Sequence, residues 1–374
     1  MSRIARIDVR RLSARMPRPW VPEAPDLHLI VVRVEDEEGA VGTGFSWTPT
    51  IGASAVAALL GDDIRRFAVG QDADPATLWP RLWVHLHEAG GGGITTIAMA
   101  GLDLALWDLR ARRDGLGLAT ALGRRHERLP VYGSGVNLHY STDELVAQVR
   151  RWTDRGLDAV KIKVGRPDLA EDVERVAAVR EALGPHRRLM IDANQRWDVP
   201  TAARALDALA GFDLAWIEEP LRADDTAGHR ALAARTSVPI ALGENLHTVH
   251  RFRDVLDAGF ASTVQPNVVR VGGITPFLEI AALAAERGVD VAPHLLPDIS
   301  AQLGMTLEAR TWVEDVEDAD FTALGLLASP SPVRVDGAWA TVAESPGLGL
   351  DFIPDPVDTA ARSADAPQLD TTPR

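Results

Sequence analysis

The chain of 374 residues contains no cysteine, which excludes disulfides, thiolate nucleophiles and cysteine-ligated zinc. It also lacks a basic surplus: 39 Lys and Arg face 53 Asp and Glu, for a net charge of −14. That balance argues against nucleic-acid binding and against a polybasic membrane surface. No apolar run is long enough to span a bilayer, and MSRIARIDVRRL lacks the apolar core of a signal peptide. We therefore expect a cytoplasmic protein that binds neither nucleic acid nor membrane.

Polar residues recur along the second half of the chain at a regular distance. The series is Lys161, Lys163, Asp192, Glu218, Glu244, Asn267, His294 and Glu314, and from Lys163 onward successive members lie 20 to 29 residues apart. Most of them end a short apolar run, such as RRLMID or LAWIE, that is typical of a buried strand. A parallel strand with its crossover helix takes about 30 residues. Polar residues at the carboxyl ends of successive strands are the layout of a (β/α)-barrel active site.

The alternation of strand and helix patterns divides the chain. Residues 1–128 indicate an α+β domain, with a helix pattern in TTIAMAGLDLALWDLRARR, and residues 129–322 indicate the barrel. Residues 323–358 contain short β-like pieces, and the polar residues 359–374 are expected to be a disordered tail. In GGITPFLEIAALAAERG, Thr275 is expected to cap a helix.

Three carboxylates, Asp192, Glu218 and Glu244, end three consecutive predicted strands. Adjacent strands lie about 4.8 Å apart, so the three side chains are expected to converge. Such a cluster is repulsive without a cation, and oxygen-only ligands favour Mg²⁺ over zinc. The alternative is that some of these acids are helix caps or surface charges, but three in phase favour a magnesium site.

Lys161 and Lys163 lie two residues apart on one predicted strand and therefore point to the same face. A surface strand gives the same pattern, but the apolar Val160, Ile162 and Val164 occupy the other face, so we expect the lysines in the barrel mouth. Close to Mg²⁺ and to each other, their pKa values are expected to fall, which suits a general base. His294 ends a strand across the barrel and is a candidate for catalysis, although a lone histidine is more often structural.

In combination, the motifs of this chain resemble the enolase superfamily, in particular its mandelate racemase-like branch. The matching segments are KIK (161–163), DAN (192–194), WIEEP (216–220), GEN (243–245), VGGIT (271–275), HLLPDIS (294–300), AGLDLALWD (100–108) and PGLGL (346–350). The resemblance covers nearly the whole chain. It implies a modified (β/α)₇β barrel of the TIM type with an α+β capping domain, which the C-terminal segment completes.

The resemblance also implies roles for individual residues. Asp192, Glu218 and Glu244 would bind Mg²⁺, and Lys163 and His294 would be acid/base groups on opposite faces of the substrate. Three further roles follow from the family: Lys161 would bind the substrate carboxylate together with Asn194, Glu314 would hydrogen-bond the developing enediolate, and capping loops around Trp20 and Trp47 would close over the substrate. We expect a small-molecule carboxylate as partner and a homo-oligomer, either a dimer or an octamer.

The chain departs from the branch at one position. Asn267 stands where the family usually places an aspartate beside the barrel histidine. We expect the amide carbonyl to accept the His294 ring N–H without stabilising an imidazolium, which makes His294 a weaker base and a readier acid.

The branch abstracts the proton alpha to a carboxylate. Racemisation needs two groups that can each take the proton, whereas dehydration of an acid sugar needs one base and one acid. We therefore expect an acid-sugar dehydratase, a hydro-lyase that forms a 2-keto-3-deoxy acid. The first alternative is a 2-hydroxy-acid racemase or epimerase. A muconate-type cycloisomerase ranks lower because it would carry a lysine in place of His294, and a non-catalytic binding protein conflicts with the complete acid triad.

Overall fold

The computed structural model describes residues 2–20, 23, 25–309 and 311–354. The expected disordered tail, 359–374, lies outside the described residues. Among those described, no helix is both long and apolar enough to cross a membrane.

The first third of the chain forms the α+β domain. Its antiparallel sheet has the order β1 (Ile4–Arg15), β2 (Asp26–Asp36) and β3 (Val41–Thr48). Its helices are α1 (Ala53–Leu59), α2 (Arg65–Ala68), α3 (Pro75–His85), α4 (Ile94–Arg113) and α5 (Leu118–Ala121), with a π-helical turn over Leu60–Ile64 and a 3₁₀ turn over His87–Ala89. Helix α4 packs closely on β3, because Gly44 has no side chain to collide with the backbone of Gly101 and Ala105.

The barrel has eight parallel strands. They are β4 (Leu129–Ser134), β5 (Ala159–Lys163), β6 (Arg188–Asp192), β7 (Leu214–Glu218), β8 (Ile240–Leu242), β9 (Ala261–Val264), β10 (Asp290–Val291) and β11 (Val313–Val316). Each strand from β4 to β9 pairs with the next one along the chain, and β11 pairs with β4. A parallel bridge from Val291 to Thr311 closes the ring between β10 and β11.

Seven helices connect the eight strands, as in the predicted (β/α)₇β arrangement. They are α6 (Thr142–Asp154), α7 (Leu169–Leu183), α8 (Val199–Leu209, followed by a 3₁₀ turn over Ala210–Phe212), α9 (Thr226–Ala233), α10 (Val249–Ala258), α11 (Ile274–Glu286) and α12 (Pro297–Gly304). The predicted fold class is confirmed. All strands run the same way, so their carboxyl ends meet at one rim, where polar side chains can converge.

The C-terminal segment contacts both parts of the molecule. Strands β12 (Val333–Asp336) and β13 (Trp339–Val342) form a hairpin, and β13 pairs with the start of β4. Further on, the Leu348 backbone N–H donates to Asp108 on α4 at 2.6 Å. Three aromatic rings, Phe45, Phe321 and Phe352, meet edge to face with centroids 5.0 to 5.7 Å apart. They join β3, the chain after β11 and the C-terminal segment. The predicted bounds of the domains, residues 128/129 and 322/323, stay a prediction.

Helix α11 is capped from the other domain. Its N-cap residue is Gly273, and Thr275 lies inside the first turn. The Asp103 carboxylate on α4 accepts hydrogen bonds from the Thr275 backbone N–H at 3.0 Å and from the Thr275 hydroxyl at 2.6 Å. The prediction that Thr275 caps the helix is therefore wrong, because the acceptor comes from a residue 172 positions earlier in the chain.

Candidate active site

The acid triad lies at the carboxyl rim of three adjacent strands. Asp192 and Glu218 are the last residues of β6 and β7 and are register partners, and Glu244 follows β8 by two residues. Gly243 makes this bend possible: its φ is 142°, and a side chain there would collide with the Gln265 backbone. One carboxylate oxygen from each acid lies within 4.8 Å of the others, and all three side chains are buried. The predicted convergence is confirmed.

The charges in this region are unbalanced, which indicates a cation site. The buried acids are Asp192, Glu218, Glu219, Glu244 and Glu314, and the buried lysines are Lys161 and Lys163. Burial raises the pKa of Glu218 to about 8, although the Lys161 ammonium opposes the shift. Burial and the neighbouring Glu244 also raise the pKa of Glu219 well above its usual range. A divalent cation supplies the missing positive charge, and three carboxylates form the oxygen-only donor set that Mg²⁺ prefers.

Lys161 joins two of the acids. Its Nζ lies 2.8 Å from both Glu218 carboxylate oxygens and 2.7 Å from Glu314 Oε1. Burial opposes ionisation of Glu314, but the Lys161 ammonium, His294 and the hydrogen bonds to Glu314 together outweigh this effect and lower the Glu314 pKa to about 2. The second Glu314 oxygen accepts the Leu295 backbone N–H at 2.8 Å. Glu314 is therefore held as a carboxylate at the floor of the site.

Lys163 lies beside the triad, with its Nζ 2.5 Å from Asp192 Oδ2. The expected fall in the pKa of the two lysines beside Mg²⁺ stays a prediction, and the groups of the protein alone shift both pKa values upward. Burial lowers the pKa of Lys163, but the charges of Asp192, Glu244 and Glu218 together more than offset it, and the net pKa is raised. The pKa of Lys161 is raised for the same reason, with Glu218 and Glu314 as the main anions. The carboxylates around the lysines therefore oppose the effect expected of the cation.

His294 and Asn267 contact each other in an orientation that differs from the expected one. Asn267 Nδ2 lies 3.1 Å from His294 Nδ1. The amide oxygen faces away, because it accepts the backbone N–H groups of Val269 at 3.0 Å and Arg270 at 3.1 Å. The amide therefore donates to Nδ1, and the ring proton lies on Nε2, which donates to Glu244 Oε2 at 2.6 Å. The prediction that the amide carbonyl accepts from the ring is wrong.

A cavity of about 620 Å³ opens beside Lys163 and includes two further predicted site residues, Asn194 and Trp20, in its wall. The Asn194 backbone N–H donates to Asp192 Oδ1 at 2.7 Å, which ties the loop after β6 to the triad. Trp20 contacts Trp47 edge to face, with ring centroids 5.8 Å apart. Trp47 lies on β3 rather than on a loop and is only 2% exposed. It supports Trp20 and does not itself line the cavity.

Several polar residues at the rim have no role in the sequence-based prediction. Glu219 adopts a φ of 38° and accepts from the side-chain amide of Asn245 at 2.7 Å. Gln265 donates to Glu218 Oε2 at 2.6 Å, and Arg270 donates to the Glu244 carbonyl at 2.8 Å. A signal existed for Gln265, which lies two residues before Asn267 and so shares its phase. Glu219 and Arg270 lie beyond the predicted strands, where the two-residue period of a strand does not predict the direction of a side chain.

A barrel whose rim holds three converging carboxylates, two buried lysines and a fixed histidine belongs to an enzyme that uses a divalent metal. The sequence matches two family models: "Mandelate racemase / muconate lactonizing enzyme, N-terminal domain" over residues 13–123 and "Enolase C-terminal domain-like" over residues 144–355. The chain belongs to the mandelate racemase/muconate lactonizing enzyme family of the enolase superfamily, as its motifs predicted.

Relatives within this family act on sugar acids. A 3,6-anhydro-alpha-L-galactonate cycloisomerase of Streptomyces coelicolor is 39% identical over 331 residues, which cover 87% of this chain and 90% of that protein. An L-talarate/galactarate dehydratase of Salmonella typhimurium is 37% identical over 294 residues, 78% of this chain and 74% of that protein. Both names describe enzymes, and the retained lysine pair and triad fit the same conclusion for this chain.

Solved structures show the same fold with magnesium. A Streptomyces coelicolor racemase with bound magnesium is 35% identical and superposes with a TM-score of 0.88, over 96% of this chain and 99% of that one. An L-talarate dehydratase from Polaromonas, complexed with Mg and L-glucarate, is 37% identical with a TM-score of 0.83, over 94% of this chain and 96% of that one. Mg²⁺ is thus the cofactor of the fold, and the triad is where this chain can hold it.

Proposed function

We propose that the protein is a Mg²⁺-dependent dehydratase of acid sugars, with Asp192, Glu218 and Glu244 as the metal ligands. Bound there, the cation supplies positive charge beside the substrate carboxylate and favours loss of a proton from Lys163. In this proposal Lys163 then takes the proton alpha to that carboxylate. In the same proposal the Lys161 ammonium stabilises the resulting negative charge on oxygen, and the Glu314 carboxylate, 2.7 Å from Lys161 Nζ, holds that ammonium in position.

The orientation of the Asn267 side-chain amide is the observation that favours dehydration over racemisation. To abstract a proton, His294 would need a bare Nε2, which places its ring proton on Nδ1 against the Asn267 amide hydrogens. Turning the amide round would break its two bonds from Val269 and Arg270. The Nε2–H tautomer is therefore favoured, and in this proposal it donates a hydrogen bond to the departing hydroxyl, while the Lys163 ammonium formed in the first step returns the proton that completes the water. A racemase, which needs a second base, fits this arrangement less well.

A second candidate reaction is cycloisomerisation of a 3,6-anhydro sugar acid, because the Streptomyces coelicolor relative carries that activity in its name. In such an acid an ether oxygen replaces the 3-hydroxyl. The same alpha-proton abstraction and C–O cleavage would then open the ring, and no water would leave. The two reactions need the same lysine and histidine roles and differ only in the leaving oxygen.

The substrate class, the assembly and the location of the protein complete the proposal. The substrate is proposed to be a small-molecule carboxylate, such as the glucarate found in the Polaromonas complex. Assembly into a dimer or an octamer and a cytoplasmic location stay predictions, which light scattering and cell fractionation would check.

The test is a screen of acid sugars with the Mg²⁺-loaded protein. Each aldonate, aldarate and 3,6-anhydro acid is incubated with enzyme, and 2-keto-3-deoxy products are measured by a ketoacid assay and NMR. We expect dehydration of at least one acid and loss of turnover with a chelator. Epimer interconversion without ketoacid would replace dehydration by the racemase alternative.

A further inference from the structure

The cavity wall contains a positive charge that no group among the described residues neutralises. Of the cationic side chains in the wall, Lys163 pairs with Asp192 at 2.5 Å, and Arg166 pairs with Glu171 at 3.0 Å. Arg196, the third, makes no side-chain hydrogen bond or ion pair with the described residues. The wall thus has a surplus cation in a chain whose net charge is −14.

Arg166 cannot take over the role of a free cation, because its guanidinium is already used. It donates to the Leu138 carbonyl at 2.9 Å and to the Tyr140 carbonyl at 2.6 Å, in addition to the Glu171 carboxylate. These bonds hold the chain after β4. The Arg166 guanidinium therefore supports the wall, whereas the Arg196 guanidinium faces the cavity without a partner among the described residues.

The backbone under Arg196 is fixed although its side chain is exposed. Gln195 has a φ of 63°, donates its N–H to the Glu219 carbonyl at 2.7 Å and accepts the Ala223 N–H at 2.8 Å. The Arg196 stem crosses Gly165, where a side chain would come within 2.8 Å of Arg196 Cδ. Gly165 follows Lys163 by two residues, so Arg196 lies outward of the buried reaction centre. An exposed guanidinium on a fixed stretch of backbone is suited to binding an anion in the cavity.

We propose that Arg196 binds a second carboxylate at the far end of the substrate and selects open-chain dicarboxylic sugar acids. The inference rests on the proposed function, in which the first carboxylate lies at the metal and Lys161. A guanidinium pairs with a carboxylate through two parallel hydrogen bonds, whereas a terminal hydroxymethyl group offers no charge. A 3,6-anhydro acid has its sixth carbon in the ring and no carboxylate there, so Arg196 favours the dehydratase over the cycloisomerase.

The test compares acids that differ only at carbon six. Galactarate and galactonate are one matched pair, and glucarate and gluconate are a second. The unmodified protein is expected to prefer the di-acid of at least one pair by tenfold or more in kcat/KM. Arg196→Met should raise KM for that di-acid at least tenfold, change kcat less than about twofold, and leave the mono-acid unaffected. Arg196→Lys should restore part of the loss, and Arg204→Met, on the exposed side of α8, is the matched control.

Direct binding separates this inference from the proposed reaction. Calorimetry with Mg²⁺-loaded Lys163→Ala protein, with and without Arg196→Met, measures the affinity ratio of di-acid to mono-acid without turnover. A ratio that falls with Arg196→Met supports the inference even if no acid is dehydrated, in which case the reaction alone is wrong. The inference is overturned if no di-acid binds more tightly than its mono-acid partner, or if the ratio is the same in both variants.

Discussion

Asp103 offers a quantitative test of how the two domains are held together. Its side chain is 3% exposed, and its only hydrogen-bonding partners among the described residues lie at the start of α11. Burial raises the pKa of Asp103 from 3.8 to about 7, although the bonds from Thr275 act in the opposite direction. The folded protein therefore holds this proton more tightly than the unfolded chain does.

The sign of the pH dependence follows from that difference. The stability contributed by this proton is complete below about pH 4 and is lost as the pH rises through 7. At about 1.4 kcal/mol per pH unit, the two units between pH 5 and 7 amount to about 3 kcal/mol. An unfolding entropy of about 2 cal/mol/K per residue converts this to a Tm change of about 4 °C for a chain of this size.

The perturbation is Asp103→Asn, which keeps the shape and removes the titration. At pH 5 we expect the variant to be about as stable as the unmodified protein, because protonated Asp103 and an amide each offer Thr275 one carbonyl acceptor and one donor. From pH 5 to pH 8 its Tm should improve relative to the unmodified protein by about 4 °C. Calorimetric Tm profiles measure this difference, with Asp207→Asn, on the exposed face of α8, as control. Parallel profiles for Asp103→Asn and the unmodified protein would refute the reasoning.

Three further predictions concern the reaction. Glu218→Gln removes one charge from the triad and should weaken Mg²⁺ binding by tenfold or more in calorimetry; unchanged affinity would sink the metal assignment. Lys163→Ala should still fold and bind Mg²⁺ but lose turnover by at least a hundredfold, and full activity would show that the lysine is structural. Asn267→Asp provides an acceptor for the His294 Nδ1–H. Deuterium exchange from D₂O, followed by NMR, should occur on one substrate epimer in the unmodified protein and on both in the variant; fast exchange of both by the unmodified protein would favour the racemase.

The parts of the fold and site that follow from repetition could be predicted from the sequence. The strand–helix period placed Asp192, Glu218 and Glu244 at one rim, since parallel strands in a closed barrel align their carboxyl ends. The lysine pair followed from the two-residue period of a strand, and both side chains are buried in the barrel mouth.

Interactions between distant segments could not be predicted in this way. The cap of α11 comes from Asp103, and nothing near Thr275 indicates it. The orientation of the Asn267 amide depends on the backbone N–H groups of Val269 and Arg270, which turn toward it only after β9 has ended. The burial of Trp47 depends on distant segments that pack over β3, which the local sequence pattern does not identify. The pKa values of the lysines depend on the combined charge of the surrounding carboxylates, Asp192, Glu218, Glu244 and Glu314.

The contact of Phe45 with Phe321 and Phe352 has a consequence for biosynthesis. Translation proceeds from the N-terminus, so β3 emerges from the ribosome some 300 residues before Phe352. Until the last segment is made, the apolar face of β3 around Phe45 has no permanent cover. At about 5–20 residues per second this interval lasts on the order of 15–60 seconds. Nascent chains of this protein are therefore expected to need protection by chaperones until synthesis is complete.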